Sequence, residues 1–393
     1  MTGQTPRSLR FLIAPDHYKG TMSAPAAAQI IQQAFAEVFP AAIFDLLPLA
    51  DGGEGTAEAF LQAQEGSSER VAARDPLGRW CQANLVLIDA GKTAVVEMAQ
   101  ASGLLQLQPE ERDPLQTSSQ GTGDLIRAAL DHGAETILIG LGGSATNDGG
   151  MGMLSALGAR FYDAQGRQLD PAGKHLTRVS AVDLSELDPR LARVRLEAIC
   201  DVDNPLLGPT GAAQIYGPQK GADADAVRTL EMGMTNYARQ LEKASGRTLA
   251  ALPGAGAAGG LGFACLFLGA RLRPGIEIIA ELLHLEQRIA AADLVVTGEG
   301  CVDEQTLHGK TVAGVLRLAQ RQGRPVIILG GALQGAAETW RKLGATAIFS
   351  TVAAPLSESE ILAAGPENLR RTARGVAATL SCAFRLAGEG TAS

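Results

Sequence analysis

The segment LVLIDAGKTAVVEM (85–98) limits the fold of this chain more than any other. Two strand-like runs are joined by a short turn containing Gly91, the pattern of an antiparallel hairpin. Such a pair sits badly inside a doubly wound parallel sheet, yet the flanking sequence reads as one. LRFLIA (9–14) reads as a buried strand, Ser23 offers an N-cap to the amphipathic stretch 23–39, and AIFDLLP (42–48) is a second strand ahead of a glycine-rich loop (51–55). ADLVVTG (292–298), PVIILGG (325–331) and ATAIFS (345–350) resume that rhythm near the other end. TILIG (136–140) and VRLEAIC (194–200) lie between. The reading is therefore one parallel α/β domain over 1–70 and 290–393, interrupted by a mixed α/β domain over 71–289. A cleft between the two is the expected small-molecule site.

Composition narrows the classes. Hydrophobic residues make up 46% and charged residues 19% of 393, which supplies an ordinary globular core. A net charge of −8, with no Lys/Arg cluster, argues against a nucleic-acid groove. The five cysteines are scattered and form no C-x-x-C pair, so reduced thiols are expected rather than disulfides or a zinc site. No stretch reaches the ~20 apolar residues of a membrane span, and the start does not read as a signal peptide. A cytoplasmic protein without membrane or nucleic-acid partners is expected, and a homo-oligomer is left open.

Chemistry concentrates in loops at predicted strand ends: APDHYKG (14–20), LADGGEGT (49–56), GLGGSATNDGG (140–150), CDVDNPLLGPTGA (200–212), GAGAAGGLG (254–262) and TGEGCVDEQTLHGK (297–310). Ligands of open parallel sheets bind beyond the carboxyl ends of the strands. Glycines let backbone N–H groups approach a phosphate, so Gly142, Gly143 and Ser144 are expected to contact one through their amides. Ser144 and Thr146 can donate to phosphate oxygens, while Asn147 and Asp148 suit Mg²⁺ or a substrate hydroxyl. Asp16, Asp51, Glu54, Asp148, Asp201, Asp203, Glu299 and Asp303 are the loop acids, with Lys19, Lys220 and Lys310 beside them. Any one could be a cap or turn residue; together they suit a general base, a metal site and charge neutralisation of a transferring phosphoryl group. The five histidines show no ligand spacing.

GAGAAG (254–259) matches the dinucleotide fingerprint literally, but no clear strand precedes it and no acid follows about twenty positions on after a second strand. The usual P-loop pattern is absent, since position 304 before Gly309-Lys310-Thr311 is Glu.

Read together, IAPDHYKGTMSA, PLADGGEGT, EMAQASGL (97–104), GTGDLI (121–126), GLGGSATNDGGMGML, DVDNPLLGPTGAAQIYGPQKGA, GAAGGLGFA and VVTGEGCVDEQTLHGKTVAGV resemble, in order and content, the type-1 glycerate kinases, over roughly residues 9 to 350. The resemblance implies a flavodoxin-like domain carrying an inserted α/β domain. It also implies an ATP-dependent kinase that phosphorylates D-glycerate, with 2-phosphoglycerate favoured as product and Mg²⁺ required. A kinase for another small hydroxy acid, or a non-catalytic small-anion binder, is the alternative. His17, Tyr18, Cys301 and Glu304 depart from the family's usual residues. One of the pairs Asp201/Asp203 and Glu299/Asp303 is expected to hold Mg²⁺, and the other to bind or activate the hydroxyl. The assignment carried forward places Asp203 and Glu299 on the metal, and Asp201, Asp303, Lys310 and Lys19 at the transfer. Substrate and nucleotide contacts fall to Asp16, Asp51, Glu54, Gly142, Gly143, Ser144, Asn147, Asp148, Asn204, Lys220, Gly259, Gly260 and Gln305.

Overall fold

The structure is a computed structural model and describes residues 8–50, 56–63, 65–302, 311–334, 337–352 and 357–389. Among these, thirteen strands are numbered β1 to β13 along the chain. The chain divides into two compact units, residues 1–51 with 275–393 and residues 52–274.

The first unit holds β1 (Arg10–Ile13), β2 (Ile43–Leu46), β11 (Leu294–Val302), β12 (Val326–Leu333) and β13 (Ala347–Ser350). All pair in parallel, in the order β13-β12-β11-β1-β2. Renumbered within the unit this is 2-1-3-4-5, the flavodoxin order, whose ligand crevice lies at the switch point between the first and third strands. Those strands are β1 and β11. Helices Ala24–Ala36 and Gly365–Glu389 lie against the same apolar face, with Phe11 stacked on Phe44 at 5.6 Å and edge-on to Phe35 at 5.4 Å. Ser23 caps the first helix, its hydroxyl accepting from the Ala26 amide at 3.4 Å.

β11 runs further than its apolar residues suggest. Gly298, Glu299 and Gly300 stay in the ladder, with Glu299 opposite Gly330 and Cys301 opposite Ala332. The sequence reads TGEG as the start of a loop; the glycines instead let two backbones close up. A Cβ on Gly298 would stand 1.9 Å from the Leu329 carbonyl oxygen and 2.7 Å from the Tyr18 hydroxyl.

The second unit carries β3 (Gly66–Arg74), β4 (Trp80–Ile88), β5 (Thr93–Glu97), β6 (Thr136–Gly140), β9 (Arg195–Ile199) and β10 (Arg271–Arg273). The sheet order is β10-β9-β6-β5-β4-β3. β3 with β4 and β4 with β5 are antiparallel, so the hairpin read from the sequence is present, and the remaining pairs are parallel. β7 (Arg160–Tyr162) and β8 (Ala181–Asp183) form a separate two-stranded sheet. Buried Phe161, Tyr237 and Phe263 anchor the core with Val96, Ile137 and Ile139. β3 pairs with β4 from Gly66 onward, and the helix Gly275–Leu282 falls with the first unit. By internal contacts the units join at 51/52 and 274/275, where the strand pattern of the sequence alone sets 70/71 and 289/290.

Candidate active site

In the second unit the parallel strands β5, β6, β9 and β10 end on the same side, so the segments leaving Glu97, Gly140, Ile199 and Arg273 are neighbours. The loop after β6 is almost wholly buried from Ser144 to Gly150. Asp148 is 0% exposed and accepts four hydrogen bonds: from the Ser119 amide at 2.7 Å and hydroxyl at 2.8 Å, and from the Gly150 and Gly152 amides, both at 3.0 Å. Burial raises its pKa above the ordinary carboxylate value, against the pull of these donors. Its oxygens are engaged within the protein, where they fix the loop and the start of helix Met151–Ala156.

Lys220 contacts the same loop. It is 1% exposed, and its ammonium donates to Ser144 Oγ and the Thr146 carbonyl, each at 2.7 Å. Burial pushes its pKa down to about 7, and the charge of Asp148 resists that shift. Asn147 is 0% exposed; its Nδ2 donates to the Ala212 carbonyl at 3.2 Å, while its Oδ1 and Thr146 Oγ1 are buried with no partner among the described residues. Gly142 is half-buried and Gly143, at φ +75°, is exposed.

The fingerprint-like GAGAAG does not open on a strand. Ala258, Gly259 and Gly260 have φ of 52°, 69° and 89° within the first turn of helix Ala257–Phe267. Both glycines are buried against the β6 loop: the Gly149 amide donates to the Gly259 carbonyl at 3.0 Å, and a Cβ on Gly259 would lie 1.8 Å from the Thr146 carbonyl oxygen. The space left by these glycines is filled by protein backbone.

After β9, Asp201 and Asn204 are half-buried and Asp203 is exposed. Asn204 ties the turn: its Oδ1 accepts from the Tyr216 hydroxyl at 2.7 Å, and its Nδ2 donates to the Thr210 carbonyl at 2.8 Å. Burial lifts the Cys200 thiol to about 11, helped by the charges of Asp201 and Asp203. At the end of β5, Glu97 is 4% exposed and accepts from the Ala57 amide at 2.8 Å and from Gln100 at 3.1 Å.

In the first unit, β1 and β11 bring their own group together. Asp16, 2% exposed, accepts through Oδ1 from the His17 amide at 2.6 Å and is paired with His17 Nδ1 at 2.7 Å. Its amide donates to the Gly298 carbonyl at 2.8 Å, which binds the segment after β1 to the end of β11. The Tyr18 hydroxyl donates to the Leu329 carbonyl at 2.6 Å. Burial raises the Tyr18 pKa far above normal, and the nearby charges of Glu299 and Asp16 add to this. Glu299 is half-buried and Lys19 exposed.

The sequence-derived residues thus collect in three places, one of them the turn after β9 with Asp201, Asp203 and Asn204. Ser144, Asn147, Asp148, Lys220, Gly259 and Gly260 meet around the β6 loop, and Asp16 and Glu299 gather beside Tyr18. Asp51, Glu54, Asp303, Gln305 and Lys310 lie outside the described residues. The motifs do not single out Glu97, Ser119 or Tyr216, and they mark Tyr18 only as a departure from the family's usual residue. Glu97 stood in a quoted motif, EMAQASGL, where an acid closing an apolar strand was the available signal.

The sequence profile of the Glycerate kinase family matches residues 11–381. A glycerate kinase of Bacillus subtilis (strain 168) is 44% identical over 376 residues, spanning 95% of this chain and 98% of its own. The glycerate 2-kinase of Escherichia coli (strain K12) is 44% identical over 381 residues, spanning 97% of this chain and 100% of its own. The crystal structure of a Salmonella typhimurium LT2 protein proposed to be glycerate kinase 2 matches with a TM-score of 0.86 at 46% identity, over 96% of this chain and 100% of that one. Similarity this high over nearly the full length, on the fold described above, places the chain in the glycerate kinase family, whose members are kinases with an alcohol acceptor.

Proposed function

We propose that the protein transfers the γ-phosphoryl group of ATP to D-glycerate, giving 2-phosphoglycerate, in a Mg²⁺-dependent reaction in the cytoplasm. The observation that carries this reading is the near-full-length similarity to glycerate kinases at 44% identity. Phosphoryl transfer asks a protein for positioning, charge neutralisation and a proton acceptor more than for covalent chemistry. The glycine-rich segment at Gly142 and Gly143 suits close approach of a phosphate. Asp201 or Asp303 accepts the hydroxyl proton, and Lys19 and Lys310 balance phosphate and carboxylate charge.

Among the described residues no group of three or more His, Cys, Asp or Glu side chains is set to hold a metal ion. Mg²⁺ in such reactions is commonly held by one or two carboxylates together with substrate phosphates. Exposed Asp203 and half-buried Glu299 are hard oxygen donors of that kind. When bound, the ion would neutralise phosphate charge as the group transfers.

Phosphorus NMR of the product separates the 2- from the 3-phosphate. Failure to consume ATP with D-glycerate across a series of divalent metals would overturn the assignment. His17, paired with Asp16 through its ring nitrogen, favours one variant reading: another small hydroxy acid as acceptor. A higher kcat/KM for such an acid in a substrate panel would replace D-glycerate.

A further inference from the structure

Lys220 is a buried cation with a defined geometry and no place in the transfer chemistry above. An ammonium has three donors and no acceptor, so its contacts at 2.7 Å to Ser144 Oγ and the Thr146 carbonyl fix the direction of both hydrogen bonds. Ser144 Oγ accepts; its own O–H must then donate elsewhere. Ser144 is 9% exposed and directly follows exposed Gly143, so the residue borders the accessible part of the glycine-rich segment. A hydroxyl held in this sense selects an acceptor, and a charged acceptor makes the stronger bond.

We propose that Lys220 is a positioning residue that sets Ser144 as a hydrogen-bond donor to an anionic oxygen of a bound substrate, without touching that substrate itself. The inference rests on the kinase reading, because it takes the ligand to be one of that reaction's anions. Two sources share the chemistry: a phosphate oxygen of the nucleotide, or the carboxylate of the hydroxy acid. The role requires Lys220 to be charged. Asp148, on the same loop, is the acid whose charge supports the ammonium, and Tyr237, a neutral phenol, is buried near Asp148. Burial sets the ammonium to shed its proton at about 7, after which the nitrogen can accept from Ser144 and the donor is withdrawn.

The test uses the full-length protein as wild type, Lys220→Met, Ser144→Ala and the double variant. KM for ATP and for D-glycerate, kcat and melting temperature are measured separately, from about pH 6 to about pH 9. Lys220→Met should raise one KM by about tenfold or more, Ser144→Ala should raise the same one, and the double variant should be no worse than the larger single. A shift in KM for ATP assigns the oxygen to phosphate, and a shift for D-glycerate assigns it to carboxylate. Both values staying within about twofold in Lys220→Met, or losses that multiply in the double variant, would overturn the proposal.

Should Lys220→Met not fold, the pH series decides. That KM should rise above neutral pH in wild type and stay flat in Ser144→Ala; an equal rise in both removes the relay. Calorimetric binding of ATP alone and D-glycerate alone accompanies turnover. A wild type that binds but does not turn over fails the kinase reading only, and the same comparisons then run on Kd. Binding of neither anion overturns both.

Discussion

The loop after β6 and the junction of β1 with β11 are both rich in glycine and acid, yet they use them in opposite ways. Around β6 the charged groups are turned inward: Asp148 accepts four hydrogen bonds from its surroundings and Lys220 is 1% exposed. At the β1–β11 junction Asp16 and Tyr18 are buried, His17 and Glu299 are half-buried, and Lys19 is exposed. The lesson is that a glycine-and-acid motif does not say which of its acids reach a ligand. A buried acid such as Asp148 commits its oxygens to the backbone and hydroxyl around it.

That contrast can be broken by substitution. The largest effect is expected at Gly259, where a valine would strain a backbone at φ +69° and drive its Cβ into the Thr146 carbonyl. A loss above ~4 kcal/mol is expected, read as a collapsed melting transition or insoluble protein. A stable Gly259→Val would show that the two loops are not locked together. Next come Asp201→Asn and Asp303→Asn, for which turnover should fall by ~10² or more with little change in melting temperature. Fully active variants that only melt earlier would make these acids structural.

A smaller and graded effect follows from Lys220. Its folded-state pKa of about 7 lies below the ordinary 10.5, so between those values the unfolded chain holds a proton that the folded chain has shed. This group alone therefore makes the fold more stable as pH rises through that window. Urea denaturation at several pH values should show a positive slope in wild type that is reduced in Lys220→Met; equal slopes would mean the lysine titrates normally. The smallest effect belongs to Ser23→Ala, which removes a single exposed side-chain cap of helix Ala24–Ala36 and should cost about 1 kcal/mol with kcat unchanged.

Much of the frame was legible in the sequence because apolar runs and their punctuation report local structure directly. TILIG ends as β6 at Gly140, and the run at 85–98 contains the β4–β5 pair. What escaped depends on residues far apart in the chain. Asp148 read as a possible ligand because its donors include Ser119, twenty-nine positions away. Lys220 stood beside a glycine in the motif, but nothing local says that it contacts a loop seventy-six positions earlier. GAGAAG carried the spacing of a nucleotide fingerprint, and spacing does not report that its last glycine, Gly259, is left-handed with its space filled by the β6 loop. The TGEG segment failed for another reason: glycine is a weak strand former, and only the matching glycines of β12 let it remain in the sheet.

That extended ladder bears on how a chain of this kind can change length. Loops usually accept added or lost residues at modest cost. Glu299 does not sit on a loop but on a rung opposite Gly330. A strand alternates its faces with every residue, so one residue gained or lost between Leu294 and Glu299 would turn the carboxylate to the other side of the sheet. Insertions can accumulate freely in the exposed turns of this unit, while the count of residues along β11 has to be kept.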